Sequence, residues 1–403
     1  MRFDAIVIGG GPAGATAALL LAREGWAVAL VERAAFPRRK VCGEFLSATN
    51  LPLLRELGVA GDFFRLAGPA IRRVGVFAGK SAVTADMPRF AGDQHAWGHA
   101  LGREHLDTLL VEASAAAGTT VWQPADAVEV HGRMGAFVCS VIPVTKADAS
   151  RNPVTLQAPI VIAAHGSWDA GPLSTQRSRL PARRSDLFGF KARFIGSRLP
   201  HGLMPLLSFP GGYGGMVHTD HDYISLSCCI RRDRLERCRQ ERPGASAGEA
   251  VLAHIMRTTD AAREALDGAT VEPNSWRSAG PIRPGIHRTH RDGVLLAGNA
   301  AGEAHPVVAE GISMAIQSGS LLARQLIAAG PRANFGSGQI AVEYAREWRR
   351  AFAPRIRAGA MIAHWAMRPV AVALTLPLLR AFPLVLTESA RTTGKVSAHG
   401  WTA

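Results

Sequence analysis

The chain has 403 residues, 47% hydrophobic and 19% charged, which excludes a disordered polymer and leaves room for two domains. Its 46 Lys and Arg against 32 Asp and Glu give a formal charge of +14; basic chains meet nucleic acid, anionic lipid or acidic partners, but no zinc finger, RNA-binding sheet motif or basic repeat is present, so nucleic acid is not an expected partner. Cys42, Cys139, Cys228, Cys229 and Cys238 show no metal-ligand spacing, so no metal is expected, and their odd number with a first segment that reads as a strand rather than a secretory leader predicts a cytoplasmic setting.

Residues 3–33 read FDAIVIGGGPAGATAALLLAREGWAVALVER. Ala5 to Ile8 is an apolar run suited to one buried parallel strand. Gly9, Gly11 and Gly14, with Pro12 and Ala13 between them, spell G-x-G-x-x-G. Ala15 to Glu24 predicts a helix, and Ala27 to Val31 a second strand ending at Glu32. Each part has a physical role. Gly9 allows a tight turn, Gly11 the close approach of a pyrophosphate, and Gly14 helix–strand packing. The helix N-terminus presents free N–H groups to phosphate, and Glu32 stands where a carboxylate holds ribose hydroxyls. The unit predicts dinucleotide binding.

After Glu32 and Arg33 comes a basic loop, Arg38, Arg39 and Lys40, then Cys42, Gly43 and Glu44, with a helix expected near Ser47. The segment PRRKVCGEFLS resembles the P-x-x-K-x-C-G-x-x-x-S segment of the geranylgeranyl reductase family. That family belongs to the group of FAD enzymes related to p-hydroxybenzoate hydroxylase and the flavin-dependent halogenases. The resemblance implies FAD as cofactor, places Cys42 and Gly43 beside its isoalloxazine, and adds Arg33 and Lys40 to the cofactor set. Cys42 is the one catalytic candidate, either as pocket lining or as an acid.

Val74 to Phe77 and Ser81 to Ala85 predict strands of a second sheet. In residues 101–118, Leu106, Leu109, Leu110 and Ala113 recur at helical spacing. This stretch resembles the R-x-x-L-D-x-x-L helix of the group, whose Arg lies against the ribityl and phosphate portion of the flavin; Arg103 matches. Thr119 to Trp122 returns to the first sheet. Val128 to Ile142 and Val154 to Ala158 predict a small antiparallel set, with a polar turn at residues 146–153. Ile160 to Ala164 is another buried strand. The hydroxylases of the group usually carry Asp-Gly after it; here the pair is His165-Gly166.

Phe188 to Ile195, Met204 to Phe209, Gly215 to His218 and Tyr223 to Ile230 predict the substrate-domain sheet, with turns at PGGYGG and DHD. Cys228 and Cys229 would point to opposite faces of one strand. Arg231 to Arg242 reads as a solvated charged segment, Ala247 to Ala265 as helix, and residues 276–284 as the return to the first domain.

Residues 292–319 read DGVLLAGNAAGEAHPVVAEGISMAIQSG. The expected order is a buried strand from Val294, a turn at Gly298 to Gly302, a loop at Pro306 to Gly311, and a helix from Ile312. The run resembles the group's G-D-A-A-G-x-x-x-P-x-x-G-x-G-(I/L) motif, which implies Gly298, Asn299, Pro306, Gly311 and Ile312 at the flavin. Asn299 stands where Asp is usual and bonds a hydroxyl through an uncharged group. Ala309 stands where Gly is usual and narrows the space beside the ring.

Residues 342–366 predict one or two helices, and residues 359–387 are apolar but interrupted by Arg368, Pro369, Pro377, Arg380 and Pro383. No unbroken apolar run reaches a membrane span. Two roles suit this segment: a helical cap over the substrate pocket, or an apolar, basic peripheral contact with a membrane. The sequence thus predicts an α/β fold with a Rossmann-like FAD-binding domain (1–70, 98–185 and 277–330). An inserted antiparallel β-sheet substrate domain (71–97 and 186–276) and a helical C-terminus (331–403) complete it. The expected function is an FAD-dependent monooxygenase acting on a small hydrophobic or aromatic molecule, with NADH or NADPH as transient reductant. The alternatives are a double-bond reductase of the geranylgeranyl reductase type and a non-catalytic FAD-binding scaffold. Halogenases of the group carry W-x-W-x-I-P, which this chain lacks.

Overall fold

A computed structural model describes residues 1–144, 153–168, 171–176 and 181–395. The polar turn expected at 146–153 therefore lies, apart from Pro153, outside the described residues, as do residues 396–403 of the C-terminal segment. Strand β1 (Ala5–Ile8) and strand β2 (Val28–Val31) are parallel and fully buried. They are short and apolar at every position because packed elements cover both faces. Between them runs α1 (Pro12–Arg23). It starts three residues before the expected Ala15, since Pro12 suits a first helical position, where no N–H is needed and φ is already helical. Gly14 thereby falls inside the helix; a Cβ there would stand 1.9 Å from the Gly9 carbonyl oxygen.

The first sheet has six strands in the order 290–291, 294–296, 160–163, β1, β2, 120–122. All its pairings are parallel except the first, a short antiparallel edge. Against it pack α1, flanked by α2 (Arg103–Ala116) and α3 (Gly311–Ala329). The antiparallel strands 125–133, 136–143 and 154–158 close the same core with Phe137, Cys139, Val141 and Leu156.

The second sheet has eight strands and is antiparallel apart from one parallel pair, 73–78 with 203–209. Two expectations change here. The GGYGG run was expected as a turn, but the strand spans Gly212–His218 and the turn is confined to residues 210–211. Gly214 pairs with Cys228 in the strand, and only glycine fits there, since a Cβ would stand 2.8 Å from the Ser227 carbonyl oxygen. Residues 277–282 also pair with strand 187–195, so the chain leaves the second sheet after Ile282 rather than at 277.

The C-terminal part is helical: α4 (Gln339–Ala366), α5 (Pro369–Ala381) and α6 (Leu384–Ala390). The axes of α4 and α5 turn by 102°. Val372, Leu376, Leu379 and Leu386 of α5 and α6 pack on Val76, Ala78 and Val83 of the second sheet. Among the described residues no single helix is long and apolar enough to cross a membrane.

Candidate active site

Between the two sheets lies a cavity of about 840 Å³. Its floor is the carboxyl ends of β1, β2 and strand 160–163, the usual place for a ligand in an open parallel sheet. One wall is the face of the second sheet, with Val76, Met204, Leu206 and Met216; the roof is α4 to α6, with Ile362, Trp365, Leu379 and Leu386. Gly9, Gly11, Pro12, Ala13, Glu32, Arg33, Lys40, Cys42, Gly43, Arg103, Gly298, Asn299, Pro306, Gly311 and Ile312 all line it. Gly14 does not; its role is the close packing of α1 on the turn after β1.

The half beside β1 and β2 has the features an anionic, extended ligand needs. Gly11 precedes α1 with no side-chain cap, and a Cβ built on it meets only the Arg103 Nη2, at 3.9 Å. The first turn of α1 thus presents unblocked N–H groups to the cavity. α3 starts at Gly311, also without a side-chain cap, and a Cβ there meets nothing within 4 Å. The buried Glu32 carboxylate accepts the N–H of Gly10 (2.7 Å) and of Ala34 (2.8 Å). Arg103 is buried, and its Nε and Nη2 each donate to Asp107 at 2.7 Å. Burial opposes its charge, yet Asp107 and the adjacent Cys42 outweigh it and raise its pKa above the ordinary arginine value. Arg38 Nε and Glu44 Oε2 are buried in this wall without hydrogen-bond partners in the protein. Two bare helix starts, a glycine cradle and unmatched polar atoms fit a dinucleotide with a diphosphate and a hydrogen-bonding ring.

Residues 2–334 match the family described as the FAD binding domain. The chain belongs to that family. FAD is its cofactor. It is 26% identical over 345 residues to the conditioned medium factor receptor 1 of Dictyostelium discoideum, covering 81% of this chain and 64% of that one. It is 27% identical over 338 residues to the 6-methylpretetramide 4-monooxygenase of Streptomyces rimosus, covering 78% and 72%. The chain thus spans just under two thirds of the first relative's length. The solved structure of the myxobacterial chondrochloren halogenase, described as an FAD-dependent halogenase, superposes with a TM-score of 0.75 at 21% identity, covering 96% of this chain and 90% of that one. That likeness is one of fold.

In this FAD-binding protein the two motifs are tied together by buried polar contacts. Ser47, the last residue of the PRRKVCGEFLS segment, has its Oγ 3.1 Å from the Ser313 Oγ and donates to Glu310 Oε2 at 3.3 Å, both at the start of α3. Cys42 is half-buried, and its sulfur accepts the Glu44 N–H at 3.4 Å. Glu44 has φ 60° and is buried against Lys191, which the second sheet carries inward. Lys40 Nζ lies 5.3 Å from the centre of the Trp168 ring.

Asn299 and the segment after His165 meet at one residue that no local pattern in the sequence singles out. Glu303 is 3% exposed. It accepts Ser167 Oγ (2.7 Å) and Trp168 Nε1 (2.6 Å) from the segment after His165, and Asn299 Nδ2 (3.3 Å) from the second motif. Its two oxygens thus take three donors from two separate segments. The carboxylate usual at position 299 is thus replaced by an amide, and one appears four residues on, held by that amide. The one available signal is an acid inside the otherwise uncharged run 293–309. His165 itself turns to Gly166 O (2.9 Å) and Thr175 Oγ1 (3.0 Å). Ala309 adopts φ 53° and ψ 35°, the left-handed conformation for which glycine is the ordinary choice.

Towards the second sheet the lining becomes apolar, with Tyr213 as a polar exception. Its hydroxyl lies 3.2 Å from His305 Nδ1. Burial lowers the His305 pKa to about 4 and raises that of Tyr213 well above normal, so the pair is neutral near pH 7. Burial likewise pushes the Cys229 thiol up to about 12 and raises that of Cys228, so both remain unreactive thiols. Among the described residues, two groups of potential metal-ligating side chains, His105/Asp220/His221 and His201/His218/Asp222, lie outside this cavity. In the second, His218 already uses both ring nitrogens, on Asp222 and Leu199.

Proposed function

We propose that this protein is an FAD-dependent monooxygenase acting on a small lipophilic or aromatic molecule, with NADH or NADPH as a transient reductant. The observation that carries the reading is the joint cavity: a polar half beside the dinucleotide motif runs without a partition into an apolar half roofed by α4 to α6. Bound FAD would supply two-electron transfer and the reaction with dioxygen. The residues proposed to hold it are Gly9, Gly11, Pro12, Ala13, Glu32, Arg33, Lys40, Arg103, Gly298, Asn299, Pro306, Gly311 and Ile312. The first turn of α1 and Arg103 take the phosphates, Glu32 the ribose, and the start of α3 any negative charge that develops on the ring. Met204, Leu206, Trp365 and Leu379 exclude water from the reacting face. Tyr213, neutral and 3.2 Å from His305 Nδ1, is a group able to hydrogen-bond an oxygen of the substrate where His305 Nδ1 carries the proton of their pair.

Double-bond reduction is the second reading, and Cys42 favours it. Its thiol lines the cavity beside Gly43 and Arg103, where it can give a proton to a substrate carbon. One experiment separates the two. Purified yellow protein is mixed under argon with NADH or NADPH, and the flavin is expected to bleach; a flavin that never bleaches with either would point to a scaffold. Isotopically labelled dioxygen is then admitted with a panel of aromatic and prenylated compounds. Label in a product supports oxygenation, whereas anaerobic saturation of an alkene supports reduction.

A further inference from the structure

The roof of the cavity is also the most apolar part of the molecular surface. Among the described residues, 13 large hydrophobic side chains are exposed, and seven of them fall between Met361 and Val385. Scattered exposed apolar residues need no explanation, but a contiguous set does. The pattern on α5 is regular: Val370, Leu374 and Leu378 form a stripe at spacing of four, 73%, 77% and 53% exposed, while Val372, Leu376 and Leu379 are buried beneath. Phe382 (60%) and Leu384 (74%) continue the stripe into α6. A helix that is apolar on both faces yet lies at the surface has an outer face without a partner among the described residues.

The charges around this face are mostly basic, with Asp86, beside Thr387, Asp233 and Glu388 as acids. Arg357, Arg368 and Arg380 are exposed on α4, its junction with α5, and α5. Arg368, Val370 and Leu374 share a surface groove with Arg231, Arg234 and Arg237, in which Asp233, paired with Arg231 at 2.7 Å, is the only acid among the described residues. Between residues 355 and 395 the one acid is Glu388, 3.5 Å from Arg391. Apolar side chains ringed by arginines complement a surface that is apolar within and anionic at its rim. A second copy of the face would instead set these arginines against each other.

We propose that α5 and α6 dock on a bilayer carrying anionic phospholipids, with the Val370–Leu384 stripe in the acyl boundary and the arginine groove on the phosphates. The docking rests on the proposed function only in treating the cavity beneath as the substrate site. Leu378 and Val385 belong both to the cavity wall and to the exposed face, so the docked surface and the site share side chains.

The test uses the FAD-loaded full chain in sedimentation with vesicles of phosphatidylcholine alone or mixed with phosphatidylglycerol. Binding to the mixed vesicles at low salt, weakened by added salt, is expected. Leu374→Ser with Phe382→Ser, neither of which lines the cavity, should abolish sedimentation while retaining flavin and its absorbance. Arg368→Ala should weaken binding about fivefold, the share of one juxtamembrane cation. Absence of wild-type binding to anionic vesicles, or equal binding by the Ser variant, overturns the proposal. So does a concentration-dependent dimer dissolved by the same substitutions, which would make the face a contact between copies. Protein that docks but never holds FAD would sink the functional reading alone; FAD-loaded protein that turns over in solution but ignores vesicles would sink this one alone.

Discussion

At the scale of single residues, the buried carboxylate of Glu303 decides what position 299 can hold. Asn299 gives its amide to Glu303, so Asn299→Asp would set two carboxylates about 3 Å apart in a buried wall. The variant is expected to lose roughly 1–3 kcal/mol of stability and to retain FAD less well. Adding Glu303→Gln should recover both, because a single acid then remains. Thermal melting and flavin-fluorescence titration of the two variants and the double variant check this; a stable, flavin-replete Asn299→Asp protein would show that the pair does not interact. Cys42→Ala is expected to retain FAD, since the thiol is not among the groups proposed to hold it, and to change turnover or product. Flavin content and product analysis decide between a lining thiol and a proton donor. Neither the Glu303 contacts nor the Tyr213–His305 pair could be read from the sequence. Two of the three partners of Glu303 lie 136 and 135 residues away, and no local pattern encodes such a meeting.

At the scale of elements, local signals served where local physics decides. The β1–α1–β2 unit and the second motif were legible because short apolar runs and glycine spacing fix a strand, a tight turn and a helix start within a few residues. The Gly212–Gly215 run misleads for the complementary reason. Its glycines satisfy a turn pattern, but Gly214 is limited by the neighbouring strand at Ser227 and Cys228, and Gly212 by Phe209 and the Cys229 carbonyl. The start of α1 yields a sharp expectation: Gly11→Asp puts a carboxylate into the space before the first turn and should leave the protein folded but colourless. A yellow, fully loaded variant in the absorbance spectrum would mean that phosphate does not sit there. The loop before α3 yields another. Ala309 carries a steric penalty in the left-handed region, so Ala309→Gly should raise stability by up to about 1 kcal/mol, visible as a higher melting temperature.

At the scale of the whole molecule, buried histidines set the response to acid. His305, lowered to about 4, and His99 and His254, also lowered, are held neutral mainly by burial. The unfolded chain binds protons at these sites first, near the ordinary value of about 6.5. Their contribution is therefore complete above that pH and is lost as pH falls towards 4, with His305 alone worth about 3 kcal/mol at the lower limit. Asp220 acts in the same sense at lower pH. Burial opposes its charge, but His105 and Arg193 hold it at about 2, so its contribution persists until the pH falls below about 4. Denaturant titrations from pH 7 to 4 should show a steady fall, reduced in His305→Asn; a flat profile would contradict the neutral state of these rings.

The side chains shared by the roof and the outer surface have a kinetic corollary. A protein that draws its substrate through a face resting on lipid senses the amount per unit area of bilayer, not per unit volume of water. Its rate would then fall when the same substrate is spread over more vesicle lipid, even with the total held constant. Enlarging the interface would act as a diluent, and the apparent KM would be stated as a mole fraction.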